Sequence, residues 1–465
     1  MISEKMVRKR LYDEFIKPTT QKKNLIGIEI EIPIVNLDKK AVDFNVVHKV
    51  TRKFQKNYPD FKNDGIDYDG NVFSLKNPMT NDILCYDCSY NNIEFAMGCE
   101  EDLFTIDNRF REYYSFIKEL FEEYNHTLTG MGINPYRKYN KNSPIPSERY
   151  LMLYNHLKSF KDYKNLPMYF HKYPEYGMFS SASQVQLDVT KENLVKTINV
   201  FSKIEPLKAL LFSNSVLIEE NEHITCFRDL LWEHSTHGVN PHNIGMYDVD
   251  FNGLDDLQAY LESLNMYCVM RNGSYVNFPS IPLLEYFNRE YITGEIYSNG
   301  KYKKIKFKPD IDDIEFLRPF KFINLTFRGT IEFRSVCTQP IGDSMSVAAF
   351  HLGLMCKLDE LDELITKDEI IYNNGYTASE LRKLFIMDEI PAFIDREGLR
   401  GLLKDVVDLS SQGLIERGLG EELFLKPLYE RINKHTNPGM DTITSLNKNV
   451  RLEQLIEDYG KLDNI

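Results

Sequence analysis

The sequence predicts an α+β fold: one antiparallel sheet, helices packed on its outer face, and a helical C-terminal region. Three observations carry this expectation. Four short segments alternate apolar and polar residues with the period of a strand. Long amphipathic stretches of helical period follow them, and dominate after about residue 340. Strands and helices do not alternate in the regular way that builds a parallel sheet.

Taken in order, residues 3–16 read as a helix and 24–35 as a strand. Asp69-Gly70 reads as a hairpin turn. Residues 92–97 form the next strand, and 101–125 a long helix whose Tyr and Phe residues belong to the core. Its start, Glu100-Glu101-Asp102, suits the positive end of a helix and is assigned no chemistry. Residues 144–157, 191–219 and 254–265 also read as helices, around a strand at 183–189. The last strand is expected over 327–334. Helices follow at 345–366, 377–387, 396–417 and 420–434, the second opened by Thr377 with Glu380 three residues on.

The chain has 465 residues, a length that by itself suggests about three domains. No repeat, low-complexity run or Pro/Gly/Ser-rich linker divides it, so residues 1–465 are read as a single unit, strand-rich over 20–340 and mostly helical over 341–465. Sixty-nine acidic residues against 56 basic ones leave a net charge of −13, which argues against duplex nucleic acid as a partner. The longest mostly apolar stretches, Leu207–Ile218 and Ser346–Cys356, are too short to span a bilayer and read as buried helices. The N-terminal residues carry no apolar leader. Seven scattered cysteines suit a reducing compartment. The expectation is a cytoplasmic protein with no membrane or nucleic-acid partner.

The polar faces of the four alternating strands carry the chemistry. In Leu25-Ile26-Gly27-Ile28-Glu29-Ile30-Glu31-Ile32 the isoleucines share one face and both carboxylates the other, about 6–7 Å apart. Asn92-Ile93-Glu94-Phe95 places Asn92 and Glu94 together, and Ser183-Gln184-Val185-Gln186-Leu187-Asp188 pairs two amides with an acid. Arg328, Thr330, Glu332 and Arg334 form the last polar face. One such strand is an ordinary wet edge. Four in one sheet would line a cavity with carboxylates, amides and arginines. Clustered carboxylates repel and raise each other's pKa. Hard Mg²⁺ or Mn²⁺ relieves this through oxygen ligands, and arginine beside such an ion suits a phosphate. The residues therefore point to a metal–nucleotide site.

The same segments carry a family resemblance. Gly27-Ile28-Glu29-Ile30-Glu31, Asn92-Ile93-Glu94-Phe95 followed by Glu100-Glu101-Asp102-Leu103, the turn Gly130-Met131-Gly132-Ile133-Asn134-Pro135, and Ser181-Ala182-Ser183-Gln184-Val185-Gln186-Leu187-Asp188 occur in succession. Phe227-Arg228 with Trp232, Met270-Arg271-Asn272-Gly273, Thr330-Ile331-Glu332-Phe333-Arg334, Leu425-Lys426-Pro427-Leu428 and Asn437-Pro438-Gly439 follow. Each is weak alone. In this order the chain resembles the glutamate–cysteine ligase family, in its plant-type branch, which is grouped with glutamine synthetase among carboxylate–amine ligases. The resemblance implies an antiparallel sheet forming a funnel-shaped site.

It also implies ATP as co-substrate, Mg²⁺ or Mn²⁺ as cofactor, and glutamate plus an amine such as cysteine as substrates, with γ-glutamylcysteine formed through a γ-glutamyl phosphate. Metal ligands fall at Glu29, Glu31, Glu94, Gln184 and Glu332, with Asp87 as a further acid. Arg334 and Arg328 would hold ATP, and Arg334 and Glu332 would serve catalysis. Arg228, Trp232, Arg271 and Gln186 would face the amino-acid substrates. Gln186 stands where the family has Asn, and Ser335-Val336-Cys337-Thr338 departs from its usual strand ending. A different amine acceptor therefore stays open, as do a phosphotransferase and a non-catalytic relative on this fold.

Other patterns lead to less. Cys85-Tyr86-Asp87-Cys88 lacks a second pair for zinc. His234, His237 and His242 match no common zinc spacing and read as a solvated, substrate-side loop. Asp67-Tyr68-Asp69-Gly70 lacks the ligands a calcium loop needs at its two ends.

Overall fold

The computed structural model describes residues 2–19, 24–220, 223–247, 249–298, 300–372 and 375–462. Helix α1 (Glu4–Leu11) passes into a wider turn over Tyr12–Ile16, and strand β1 (Ile26–Asn36) follows. Helix α2 (Phe44–Asn57) precedes a meander of β2 (Lys62–Ile66), β3 (Val72–Lys76), β4 (Ile83–Tyr86) and β5 (Asn92–Glu100). As the sequence suggested, β2 and β3 turn at Gly70, which takes the left-handed φ of 84°. Helix α3 (Leu103–Glu122), β6 (His126–Leu128), α4 (Glu148–Lys158) and β7 (Ser183–Asp188) complete the first part.

The expected helix over 191–219 is two helices, α5 (Lys191–Lys203) and α6 (Glu205–Phe212). Pro206 lies in the first turn of α6, where its missing N–H costs nothing, but it cannot continue α5. Beyond Phe212 the chain is no longer α-helical. Helix α7 (Phe227–Glu233), a two-residue strand β8 (Ile244–Gly245), and α8 (Leu254–Glu262) come next. Strands β9 (Asn265–Arg271) and β10 (Ser274–Pro282), helix α9 (Leu283–Asn288), and strands β11 (Ile292–Ser298) and β12 (Lys301–Phe307) build a second, four-stranded antiparallel sheet. Alternation is weak in the lysine-rich outer strand β12, and the sequence expectation contains no second sheet.

Strand β13 (Phe320–Lys321) pairs with β8 in a separate two-stranded parallel sheet, and β14 (Ile323–Leu325) and β15 (Thr330–Phe333) return to the main sheet. The last expected strand, 327–334, is shorter than predicted. Gly329, at φ 77°, closes a tight turn whose N–H bonds Thr326 O at 3.1 Å, so Arg328 sits in a turn. The helical end comprises α10 (Ser344–Cys356), α11 (Leu358–Lys367), α12 (Ala378–Phe385), α13 (Arg396–Arg417), α14 (Lys426–Lys434), α15 (Pro438–Asn447) and α16 (Leu452–Tyr459). The stretch 345–366 is broken at Lys357, where α10 stops and α11 begins. Residues 421–425 are a 3-10 turn, with α14 starting only at Lys426-Pro427. Thr377 does cap α12 with Glu380 in a reciprocal pair of bonds.

The four predicted strands are neighbours in one antiparallel sheet, in the order β15–β7–β1–β5, flanked by β14 on one side and β4, β3 and β2 on the other. Ile26, Ile28, Ile30, Ile32, Ile93, Phe95, Val185, Leu187, Ile331 and Phe333 form its buried face. Helices α3 and α10 pack on that side. Helix α10 is buried around almost its whole circumference, with α13 crossing behind it. The two backbones approach so closely that a Cβ on Gly353 would lie 2.1 Å from Ser410 O. Among the described residues, no helix is long and apolar enough to cross a membrane.

Candidate functional site

The other face of the sheet is polar, and strand register fixes what meets there. Glu31 pairs with Glu94 across β1 and β5, and Glu29 with Gln184 across β1 and β7. Gln186 pairs with Glu332 across β7 and β15. Side chains that point the same way from adjacent paired strands form continuous rows. The predicted carboxylates are thus gathered on one surface, and they separate into two groups.

The first group is Glu31, Asp87 and Glu94, whose nearest oxygens all lie within 4.8 Å of one another. Asp87 comes from the turn after β4, where Cys88 takes a left-handed φ of 56°. The Gln184 Nε2 donates to Glu31 Oε1 at 2.9 Å, and the Ala182 N–H to Glu31 Oε2 at 2.8 Å. Gln184 Oε1 is buried and has no hydrogen-bond partner. The second group is Glu29 and Glu332. Gln186 Nε2 bridges them, at 3.2 Å and 3.0 Å. Arg334 Nη1 pairs with Glu332 Oε2 at 2.5 Å, and Asn324 Nδ2 donates to the same oxygen at 3.3 Å. From its turn, Arg328 Nη1 still reaches Gln186 Oε1 at 3.0 Å.

Electrostatics follow from this crowding. Two unit charges 4.8 Å apart repel by about 3–4 kcal/mol at an effective dielectric of about 20. Burial, reinforced by Asp87, pushes the Glu31 carboxyl up to about 8. Burial and the neighbouring Glu332 push Glu29 up to about 7. Glu94 is raised well above the carboxylate range by burial, Glu29, Asp87 and Glu31. An acid cluster of this kind holds protons or a cation.

Arginines close the opposite side. Arg228, at the start of α7, donates from Nη1 to Arg334 O at 3.1 Å. Its guanidinium carbon lies 5.9 Å above the Trp232 ring, and that ring stacks on Phe320 at 4.6 Å. Trp232 therefore backs the Arg228 guanidinium. Arg271 departs from the expected role. Both of its terminal nitrogens are held by Asp313, at 2.5 Å and 2.6 Å, at the edge of the second sheet. Both ends of its guanidinium are thereby occupied in a two-pronged pair.

Other expectations are settled by packing. The His loop is only partly solvated: His237 is buried, its ring 4.1 Å from Phe320, while His234 and His242 are half-buried and His242 Nδ1 meets Ser263 Oγ at 2.7 Å. All seven cysteines are free thiols.

Three participants escaped sequence reasoning. The Ala182 N–H is a backbone group with no sequence signal. Asn324 sits on a three-residue strand too short to show alternation. Arg149 stands close enough to Asp87 and Glu94 for its charge to oppose the upward shift of Glu94. At the first turn of α4 it reads from sequence as ordinary helix surface. A cavity of about 410 Å³ lies on the far flank of α7, lined by Trp232, Asp229, His234, Phe322 and Arg382. It shares Trp232 with the site and none of the clustered carboxylates.

No protein-family profile matches the chain. The chain is similar to the chloroplastic glutamate–cysteine ligase of Nicotiana tabacum, 23% identical over 70% of this chain and 58% of the relative. It is similar also to that of Brassica juncea, 22% identical over 71% of this chain and 60% of the relative. The chain thus spans about three fifths of the length of the curated relatives it matches. Its fold is similar to that of a glutamate–cysteine ligase from Francisella tularensis solved in complex with AMP, with a TM-score of 0.51, 13% identity, and coverage of 95% of this chain and 88% of the other.

Proposed function

We propose that this chain, a sequence relative of glutamate–cysteine ligases, is an ATP-dependent carboxylate–amine ligase acting on the γ-carboxylate of glutamate, with cysteine as the leading amine acceptor. The observation that carries the reading is the division of the site: clustered acids at Glu31, Asp87 and Glu94 on one side, and on the other the guanidinium groups of Arg334, just beyond β15, and Arg228 of α7.

The acid set fits a hard divalent cation. Three carboxylates converge, and the buried, unpartnered Gln184 Oε1 is a neutral oxygen donor beside them. Glu31, Asp87, Glu94 and Gln184 would hold one Mg²⁺ or Mn²⁺, and Glu29 with Glu332 a second. When bound, the cations would neutralise charge on the nucleotide phosphates. Arg334, with its planar fork, suits the transferring phosphate, and Arg328 reaches the same region from its turn. Arg228, backed by Trp232, suits a substrate carboxylate. The position of Gln186, between Glu29 and Glu332, supports a share in the nucleotide half more than in selecting the amine.

The chemistry needs no protein nucleophile. A carboxylate oxygen of glutamate attacks the γ-phosphorus, the bond to the bridging oxygen breaks, and ADP leaves. The acceptor nitrogen then attacks the acyl carbon, and phosphate departs with the oxygen it gained. The site's work is positioning and charge stabilisation. Free thiols throughout support a reducing compartment, the cytoplasm in our reading.

The test is an ADP-release screen with Mg–ATP and L-glutamate fixed and the amine varied, followed by product mass. Release that needs both glutamate and an amine, with a γ-glutamyl amide as product, supports the reading. If glutamate is inert while another acid drives ADP release, the donor assignment fails. If no pair of acid and amine releases ADP, the ligase reading fails.

A further inference from the structure

Behind the arginine side of the site lies a buried ion cluster. Glu205 and Lys208 of α6, Asp229 of α7 and Arg382 of α12 are each less than 10% exposed. Arg382 Nε and Nη2 bind the two oxygens of Asp229 at 2.8 Å and 3.3 Å. Its Nη1 binds Glu205 Oε2 at 2.9 Å and Glu205 O at 2.8 Å, and Nη2 reaches Ser335 O at 3.4 Å. Its guanidinium also covers the Phe322 ring at 4.8 Å, and Phe322 O accepts the Arg334 N–H at 2.8 Å. Lys208 bonds Glu205 Oε1 at 2.6 Å and lies over the Phe333 ring on the core side.

These contacts close a ring. Asp229 follows Arg228, Ser335 follows Arg334, and Arg228 bonds Arg334 O. Arg382 is the tie that joins the two backbone segments from behind. A buried ion cluster is poor evidence of stability alone, since well-packed apolar side chains do as well. Its planar, many-pronged geometry is suited to holding several groups in register.

We infer that Arg382 is a positioning residue, fixing Arg228 and Arg334 relative to each other from the C-terminal helical region. The inference rests on the ligase reading of Arg228 and Arg334, and it assigns α12 a role in the site that it does not touch.

The experiment compares Arg382→Lys with Lys208→Met in the full chain, by melting temperature, kcat, KM and the dissociation constant for Mg–ATP. Arg382→Lys keeps the charge and loses the fork. A displacement of about 1 Å at a reacting group costs up to about 100-fold, so Arg382→Lys is expected to lose at least roughly tenfold in kcat/KM while folded. Lys208→Met, in the same cluster but away from both arginines, should melt earlier with kcat and KM near the parent's. In an Arg228→Ala background, Arg382→Lys should cost much less than it does alone, because the group it positions is gone.

Kinetics near the parent's for Arg382→Lys, or full additivity with Arg228→Ala, would overturn the inference. If Arg382→Lys does not fold, Asp229→Asn, which loosens only the α7 end of the tie, is read the same way. Failure of both to fold while Lys208→Met folds overturns it in favour of a structural cluster. A parent that binds Mg–ATP but turns over with no acid fails the ligase reading alone, and nucleotide affinity then decides for Arg382. A parent that does neither overturns both.

Discussion

Three carboxyl groups within 4.8 Å of one another set the chemistry of single residues here. With Glu29 near 7 and Glu31 near 8, the folded protein binds more protons than the unfolded chain, whose carboxyls titrate near 4.5. The sign follows: stability from these groups is full below about 4.5 and is lost as pH rises through about 7–8, by at most about 1.4 kcal/mol per pH unit for each group. A cation needs the deprotonated oxygens. In chelator, the melting temperature should therefore fall between pH 6 and 8, and Mg²⁺ should restore more of it at pH 8 than at pH 6. An Mg²⁺ shift equal at both pH values would refute a cation at this cluster. Glu332→Gln and Arg334→Lys carry the second residue-scale prediction. Both should fold, since the first removes repulsion on Glu29 and the second keeps its charge, yet each should lower turnover by about 100-fold or more. Early melting with full turnover of the folded fraction would make the pair structural. The period-two pattern made Glu29, Glu31, Glu94, Gln184, Gln186 and Glu332 legible, because a strand's parity decides which face a side chain takes. Arg149 and Asn324 were not legible, because helix surface and a three-residue strand carry no such parity.

At the scale of elements, close approach and burial decide what a sequence tolerates. Gly353 of α10 faces Ser410 of α13, and a Cβ there would lie 2.1 Å from a backbone oxygen. Gly353→Ala should cost about 1–3 kcal/mol through overpacking. Gly401→Ala, on the same α13 with open space around it, should be neutral or stabilise by up to about 1 kcal/mol. Equal melting temperatures for the two variants would show that the helices do not cross as described. Helix α4 offers a pH probe away from the acids. His156 is stacked on Tyr267 at 4.1 Å, neither ring nitrogen has a hydrogen-bond partner, and burial lowers its pKa to about 3. Its contribution is present above about 6.5 and is lost as pH falls toward 3, by at most about 1.4 kcal/mol per pH unit. His156→Phe should flatten part of the decline in melting temperature between pH 6.5 and 5. An unchanged slope would mean that His156 is already protonated or hydrated. The positions of helices were readable from their period, but their breaks were not. Pro206 marks one break openly, whereas α10 stops at Lys357 without proline or glycine, at a packing boundary that local sequence does not show.

For the whole molecule, one sheet face brings together segments from the beginning, middle and last third of the chain. Only the closing of β15 onto β7, and β7 onto β1, sets acids against arginines. The main sheet was readable because both of its faces are patterned, one for a core and one for polar contacts. The second sheet was not, because its outer strand, β12, is largely exposed and alternates little. Arg271 illustrates the cost: the resemblance placed it at the amino-acid substrates, yet at the end of β9 it pairs with Asp313 of the turn over residues 311–316. The central claim is that a carboxylate is activated by phosphoryl transfer on the shared polar face. It is tested most directly with glutamate whose γ-carboxylate oxygens are labelled with ¹⁸O, Mg–ATP and a competent amine. The account predicts one labelled oxygen in each inorganic phosphate released, in step with amide formed. Unlabelled phosphate at the same turnover would contradict it.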